Sequence, residues 1–234
     1  MNLEFDKEIK SKFKNDVIEY GIINGDNTIV FIKAGQNGSL YGYNNKYIKM
    51  AKRLNSKYGC SVICSSNPFD GNNPLDNAMS IIEEYASKFD NYKIYYLGYS
   101  NGALIGAWFG VNYPQIKRMA LVNGPLMFNL HKTKEGVLSF KGEFINFIYG
   151  SEDQSIRYID LIKAIENDKI NVYVEEGQDH HFSKSEEDFL RIPEKYLFES
   201  KIGTNKKWKN IMNNNTTLIK KVVFIHFSLV YRLN

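Results

Sequence analysis

Lys93-Ile94-Tyr95-Tyr96-Leu97-Gly98-Tyr99-Ser100-Asn101-Gly102 is the stretch whose reading decides the fold. An apolar, β-prone run leads directly into Gly-x-Ser-x-Gly, and Ala103-Leu104-Ile105-Gly106-Ala107-Trp108-Phe109 follows at helical length. A strand that turns abruptly into a helix at one serine must hold that serine in a strained backbone conformation. Glycines two residues before and two after let the chain pass without Cβ clashes. The result is a hydroxyl raised above the sheet, with the next N–H and the helix N-terminus aimed at the same space. Ser100 therefore reads as a nucleophile. The bland alternative is an ordinary tight turn, and the strand before and helix after weigh against it.

Outward from this stretch, strands and helices alternate. Strands are expected at 28–33, 61–65, 93–99, 118–122, 144–149 and 170–174, each a short, nearly continuous apolar run. Helices are expected at 47–58, 76–89, 101–111, 155–166 and 185–198, where apolar residues recur at helical spacing. Val17 to Ile23 adds one or two antiparallel edge strands. The expected fold class is α/β, with a mostly parallel sheet of about six to eight strands and helices on both faces. Ligands of such sheets bind beyond the carboxyl ends of the strands. Partners for Ser100 are therefore sought in the loops there. Gly150-Ser151-Glu152-Asp153 follows one strand, and Glu175-Glu176-Gly177-Gln178-Asp179-His180-His181-Phe182 follows the next. The order is serine, acid, histidine, the set in which an imidazole takes the hydroxyl proton and a carboxylate orients it.

With these residues in place, the chain resembles the α/β-hydrolase superfamily from about Thr28 to Phe198. The family's elbow motif matches Gly98-Tyr99-Ser100-Asn101-Gly102 in full. Its acid, in a Gly-x-x-Asp turn, falls on Asp153, and its histidine, in a Gly-x-x-His turn, falls on His180. The resemblance implies an oxyanion hole from the backbone N–H groups of Asn101 and Gln36. The loop carrying Gln36 begins Ala34-Gly35 where the family commonly has His-Gly. It further implies a serine esterase or thioesterase that needs neither metal nor cofactor. A peptidase or acyltransferase on the same triad, or a non-catalytic protein binding acyl or peptide ligands, are the alternatives.

Several residues have competing readings. His181 stands beside His180, and Glu152 beside Asp153, but the motif spacing favours His180 and Asp153. Asp70 reads as a turn-stabilising residue near the cleft rim and His131 as a surface histidine. Tyr41, Tyr43 and Tyr99 are candidate cleft walls, with half-buried packing as the alternative. Gly124, Pro125 and Gly136 interrupt the short 123–143 connection, where many family members insert a cap, so an open cleft is expected.

Composition sets the frame. The chain has 234 residues, 43% of them hydrophobic, enough for a substantial core in one domain over residues 1–198. Residues 199–234 form a tail of unassigned role, polar and then apolar over Val222 to Tyr231, too short to span a bilayer as a helix. The net charge of +4 is small and its carriers are scattered, which argues against a nucleic-acid partner. The charged start, Met1 to Lys7, lacks a secretory core. Cys60 and Cys64 share one strand, about 13 Å apart, too far for a disulfide. Two reduced, buried thiols are expected, with no zinc site, which suits a cytoplasmic location; the family resemblance implies a small-molecule or acylated substrate.

Overall fold

A strand covered on both faces needs apolar side chains in both directions, and the central strands have them. The computed structural model describes residues 3–68 and 75–200. Eight strands form one sheet: β1 (Lys7–Phe13), β2 (Asp16–Ile23), β3 (Asp26–Lys33), β4 (Cys60–Ser65), β5 (Lys93–Tyr99), β6 (Ile116–Val122), β7 (Phe144–Gly150) and β8 (Ile170–Glu175). Their order across the sheet is β1-β2-β4-β3-β5-β6-β7-β8. β1 and β2 run antiparallel at one edge, and the other six strands are mutually parallel. The helices are α1 (Lys46–Tyr58), α2 (Asp76–Ala86), α3 (Asn101–Trp108), α4 (Leu130–Ser139), α5 (Ile159–Lys163) and α6 (Glu186–Pro193).

Side chains alternate between the two faces as the pleat requires. Phe31, Tyr96, Leu121 and Phe147 pack with Met79 and Ile82 of α2 and with Leu104 and Ile105 of α3. Val30, Leu97, Ala120 and Ile148 pack with Ile48 and Leu54 of α1 and with Phe189 and Ile192 of α6. Glu194, just beyond α6, is 1% exposed, yet Arg53 holds one carboxylate oxygen and the Lys57 ammonium donates to the other at 2.7 Å. That pairing prevents an uncompensated buried charge and ties α1 to the end of α6.

The elements differ from the sequence reading at their ends. β1 is an additional strand, a polar edge rich in lysine, which discourages strand pairing with other molecules. α2 stops at Ala86, where Ser87 Oγ donates back to the Glu84 carbonyl at 2.8 Å. The segment expected to be helical to Val111 breaks after Trp108 and resumes as a 3-10 turn at Gly110–Asn112. A 3-10 turn, Gln154–Tyr158, likewise precedes the short α5. The last helix closes as a π turn, Glu194–Phe198, because Pro193 supplies no N–H to the helical ladder. Cys60 and Cys64 are buried and unpaired, and burial, helped by Asp26, pushes the Cys60 thiol up to about 12. Among the described residues no helix is long and apolar enough to cross a membrane. The readings of Asp70 and of the tail from residue 201 lie outside the described residues.

The sharpest departure is α4. Gly136 does not interrupt it; the helix runs through this glycine because α3 lies too close for a side chain. A Cβ there would overlap the Ala107 carbonyl oxygen. Gly136→Ala thus sets a gain in helix propensity of about 1 kcal/mol against an overpacking cost of about 1–3 kcal/mol. A backbone atom cannot step aside as a side chain does, so we expect the cost to win and the melting temperature to fall. A variant that melts above wild type would contradict this packing.

Candidate active site

The site begins with a backbone constraint. Ser100 has φ 50° and ψ −116°, a conformation that L residues avoid and glycine tolerates. Its N–H donates to the Val122 carbonyl at 2.8 Å, and its own carbonyl accepts from Ala103 and Leu104 at 3.0 and 3.2 Å. The serine is thus bonded to the end of β6 on one side and to the first turn of α3 on the other. The two motif glycines make the crossing possible. A Cβ on Gly98 would lie 2.5 Å from the Gly102 carbonyl oxygen. One on Gly102 would overlap the Lys33 carbonyl oxygen and lie 2.7 Å from that of Ala34.

The loop after β3 lies directly on the serine, since a Cβ on Gly35 would lie 3.3 Å from Ser100 Cβ and 3.8 Å from its Oγ. The loop is a tight turn, with the Gly38 N–H donating to the Gly35 carbonyl at 2.9 Å. Asn67, fully buried after β4, clamps it. Its side-chain amide donates to the Ala34 carbonyl at 2.9 Å and to Asn101 Oδ1 at 3.0 Å. Its backbone bonds Asn37 and Gly38. The neighbouring Ser66 carbonyl accepts from the Lys33 ammonium at 2.8 Å, and burial pushes that lysine down to about 7. Gln36 and Asn101 therefore belong to two segments joined by one asparagine. Asn101 opens α3, where the first N–H groups have no helical acceptor.

Asp153 follows β7 and is 3% exposed. The Ser155 N–H donates to its Oδ1 at 2.6 Å, and its Oδ2 is hydrogen-bonded to Nδ1 of His180. The loops after β7 and β8 are stitched together. Ser151 N–H donates to the Glu175 carbonyl at 3.0 Å, Glu152 N–H to that of Gln178 at 2.9 Å, and Gly177 N–H to Ser151 Oγ at 2.7 Å. Phe182, fully buried at φ 51°, anchors the histidine loop, and Lys46 donates to the His181 carbonyl at 3.0 Å.

The residue the sequence reading missed is Asn123, 1% exposed and at φ 48°. Its amide donates to the carbonyls of Asp179 and His180 at 3.2 and 3.0 Å, and its Oδ1 accepts from the Gly150 N–H at 2.9 Å. One side chain thus joins the end of β6, the acid turn and the histidine loop. The signal was an Asn-Gly pair after a strand, since asparagine tolerates left-handed backbone better than other non-glycine residues.

The competing residues have other partners. Glu152 is exposed and ion-paired with Lys184. The His181 ring packs edge-on against His180 at 5.2 Å. His131 pairs with Glu135 at 3.2 Å on exposed surface. Tyr99 is buried, stacked on Phe189 at 4.7 Å, so packing replaces the cleft-wall reading. Tyr41 bonds Glu8 near the edge strand, and Tyr43 is exposed. Burial would raise Asp153, but the hydrogen bonds from His180 and Ser155 outweigh it and hold the carboxyl below its ordinary range. The Asp153 hydrogen bond raises His180 against the opposing effect of its burial. With Nδ1 tied to the carboxylate, the neutral ring carries its lone pair on Nε2. A serine at a strained strand end, such an imidazole and a buried carboxylate are groups that nucleophilic acyl transfer can use. Among the described residues no cluster of His, Cys, Asp and Glu has the makings of a metal site.

No protein-family model matches the sequence, and no curated protein matches it. Solved structures do. Est1E from Butyrivibrio proteoclasticus superposes with a TM-score of 0.64 at 13% identity, over 82% of this chain and 98% of that one. An alpha-beta serine hydrolase homologue from Coxiella burnetii gives 0.62 at 14%, over 82% and 97%. The Pyrococcus furiosus esterase Pf2001 gives 0.61 at 13%, over 83% and 94%. Likeness at such identities concerns the fold.

Asn123→Ala leaves the Gly150 N–H without its acceptor inside the protein, at a cost of about 1–3 kcal/mol. For a domain of this size each kcal/mol lowers the melting temperature by about 2–4 °C. Asn123→Gly relieves the backbone conformation but not the lost bonds, so it too should melt lower. Wild-type melting in both variants would show that the amide ties nothing together.

Proposed function

From a chain with the α/β-hydrolase fold, we propose a serine hydrolase that cleaves a carboxylic ester or thioester through an acyl-enzyme. The observation that carries this is Ser100 at φ 50° on the strand end, on the same sheet edge as a His180 hydrogen-bonded to buried Asp153. Ser100 Oγ attacks the acyl carbon while His180 Nε2 takes its proton. The oxyanion is received by the N–H groups of Asn101 and Gln36. His180, now an imidazolium stabilised by Asp153, gives the proton to the departing alkoxide or thiolate. Water then attacks the acyl-enzyme, His180 again serving as base, and the carboxylic acid leaves. A peptidase would use the same steps on an amide, and an acyltransferase would admit an alcohol in place of water.

The 123–143 connection supports the open-cleft reading. It spends its length on α4, which packs on α3, and so supplies no separate lid over the strand ends. The reduced, buried Cys60 and Cys64 fit a reducing compartment.

Ser100→Ala should abolish hydrolysis of short p-nitrophenyl esters in a folded protein. His180→Ala should cost several orders of magnitude, as removal of a triad member does, and His181→Ala far less. The reverse ranking would move the base to His181. The pH profile follows from the raised His180. Attack requires the neutral ring, so kcat/KM rises with pH, and its midpoint should lie above about 6.5, the ordinary histidine value. Asp153→Asn should lower both the rate and that midpoint. A wild-type midpoint below the ordinary value would contradict the pairing.

A further inference from the structure

A groove of about 350 Å³ lies between the segment leaving β6 (Gly124 to Phe128) and the segment leaving β7 (Gln154 to Tyr158). Both segments leave the carboxyl edge of the sheet, from the two strands next to β5 on the acid side. Ser100, Asp153 and His180 do not line it, but two of its wall residues adjoin their neighbourhood. A Cβ on Gly124 would lie 2.9 Å from Cβ of Ala103, in the first turn of α3, and Ser155 is bonded to Asp153. Its size falls within the range of ordinary small-molecule sites, about 300–1,000 Å³.

The lining has two characters. Leu126, Met127, Tyr149 and Ile162 form an apolar wall, continued at the rim by Phe128, which is 85% exposed. Arg157 is the one cationic side chain of the lining, and no lining side chain is acidic. Arg53 and Arg118 are paired with carboxylates, but none lies within ion-pair distance of Arg157 among the described residues. Arg157 is exposed, and the planar guanidinium of an arginine can take a carboxylate in a fork of two hydrogen bonds.

We infer that this groove receives the acyl chain and that Arg157 selects acyl groups ending in a carboxylate, that is, monoesters or monothioesters of dicarboxylic acids. The inference rests on the hydrolase reading of Ser100. The apolar wall carries the methylenes, and Arg157 takes the distal charge, which is otherwise costly to place against Leu126 and Met127. Arg157 acts as a specificity residue and takes no part in bond breaking.

The experiment compares the p-nitrophenyl monoesters of glutaric and adipic acid with neutral p-nitrophenyl valerate and hexanoate. Wild type should favour the anionic esters in kcat/KM. Arg157→Ala should lower the anionic-to-neutral ratio about 10–100-fold, the scale of a charge-assisted hydrogen bond. Arg157→Lys should restore part of it, and Arg157→Glu should lower it further. A ratio unchanged across these variants overturns the inference. If no ester of either kind is cleaved, the hydrolase reading fails, and the groove is then judged by titrating adipate into wild type and Arg157→Ala. Saturable binding weakened by the substitution upholds Arg157 as a carboxylate site; no binding, or equal binding, overturns it.

Discussion

The site depends on one crossing of backbones. β5 and β3 lie side by side with Lys33 opposite Gly98, and the chain beyond Ser100 returns as α3 against the carbonyls of Lys33 and Ala34. No Cβ fits at Gly98 or Gly102, so the backbones meet directly and Ser100 is held at positive φ. Strain of this kind costs about 1–3 kcal/mol and persists only where the surroundings over-determine it. Here the parallel sheet, the bond from Ser100 to Val122 and α3, buried from Asn101 to Ala107, do so. The same crossing brings Gly35 onto Ser100, so the proposed nucleophile and the proposed oxyanion loop are set by one contact.

Two buried asparagines extend this rigidity. Asn67 fastens the loop after β3 to the start of α3, and Asn123 fastens the loops after β7 and β8 to the end of β6. Loops usually carry their polar backbone groups to water. These satisfy them internally, which fixes the acid and the histidine while leaving the imidazole partly open to solvent. Preorganised positions of this sort lower the reorganisation needed when charge develops on an oxyanion and on an imidazolium.

Much of this was legible in the sequence, because the informative signals were local. Continuous apolar runs located the six parallel strands, and the elbow and the two Gly-x-x turns located Ser100, Asp153 and His180 as candidates. What the sequence hid was set by distant contacts. Gly136 looks like a helix breaker until α3 is seen against it. Tyr99 looks like a cleft wall until Phe189 is found stacked on it and Tyr47 tilted against it. β1 is too polar to announce itself, since an edge strand needs no apolar face of its own. Asn123 and the Arg157 groove arise only when segments more than two dozen residues apart in sequence meet at the sheet edge.

The most direct measurement is mass spectrometry of the protein after reaction with a fluorophosphonate, followed by peptide mapping. The account predicts one covalent adduct, on Ser100, formed by the native protein and lost on heat denaturation before labelling. A native protein that takes up no label, or carries it on another residue, would contradict it.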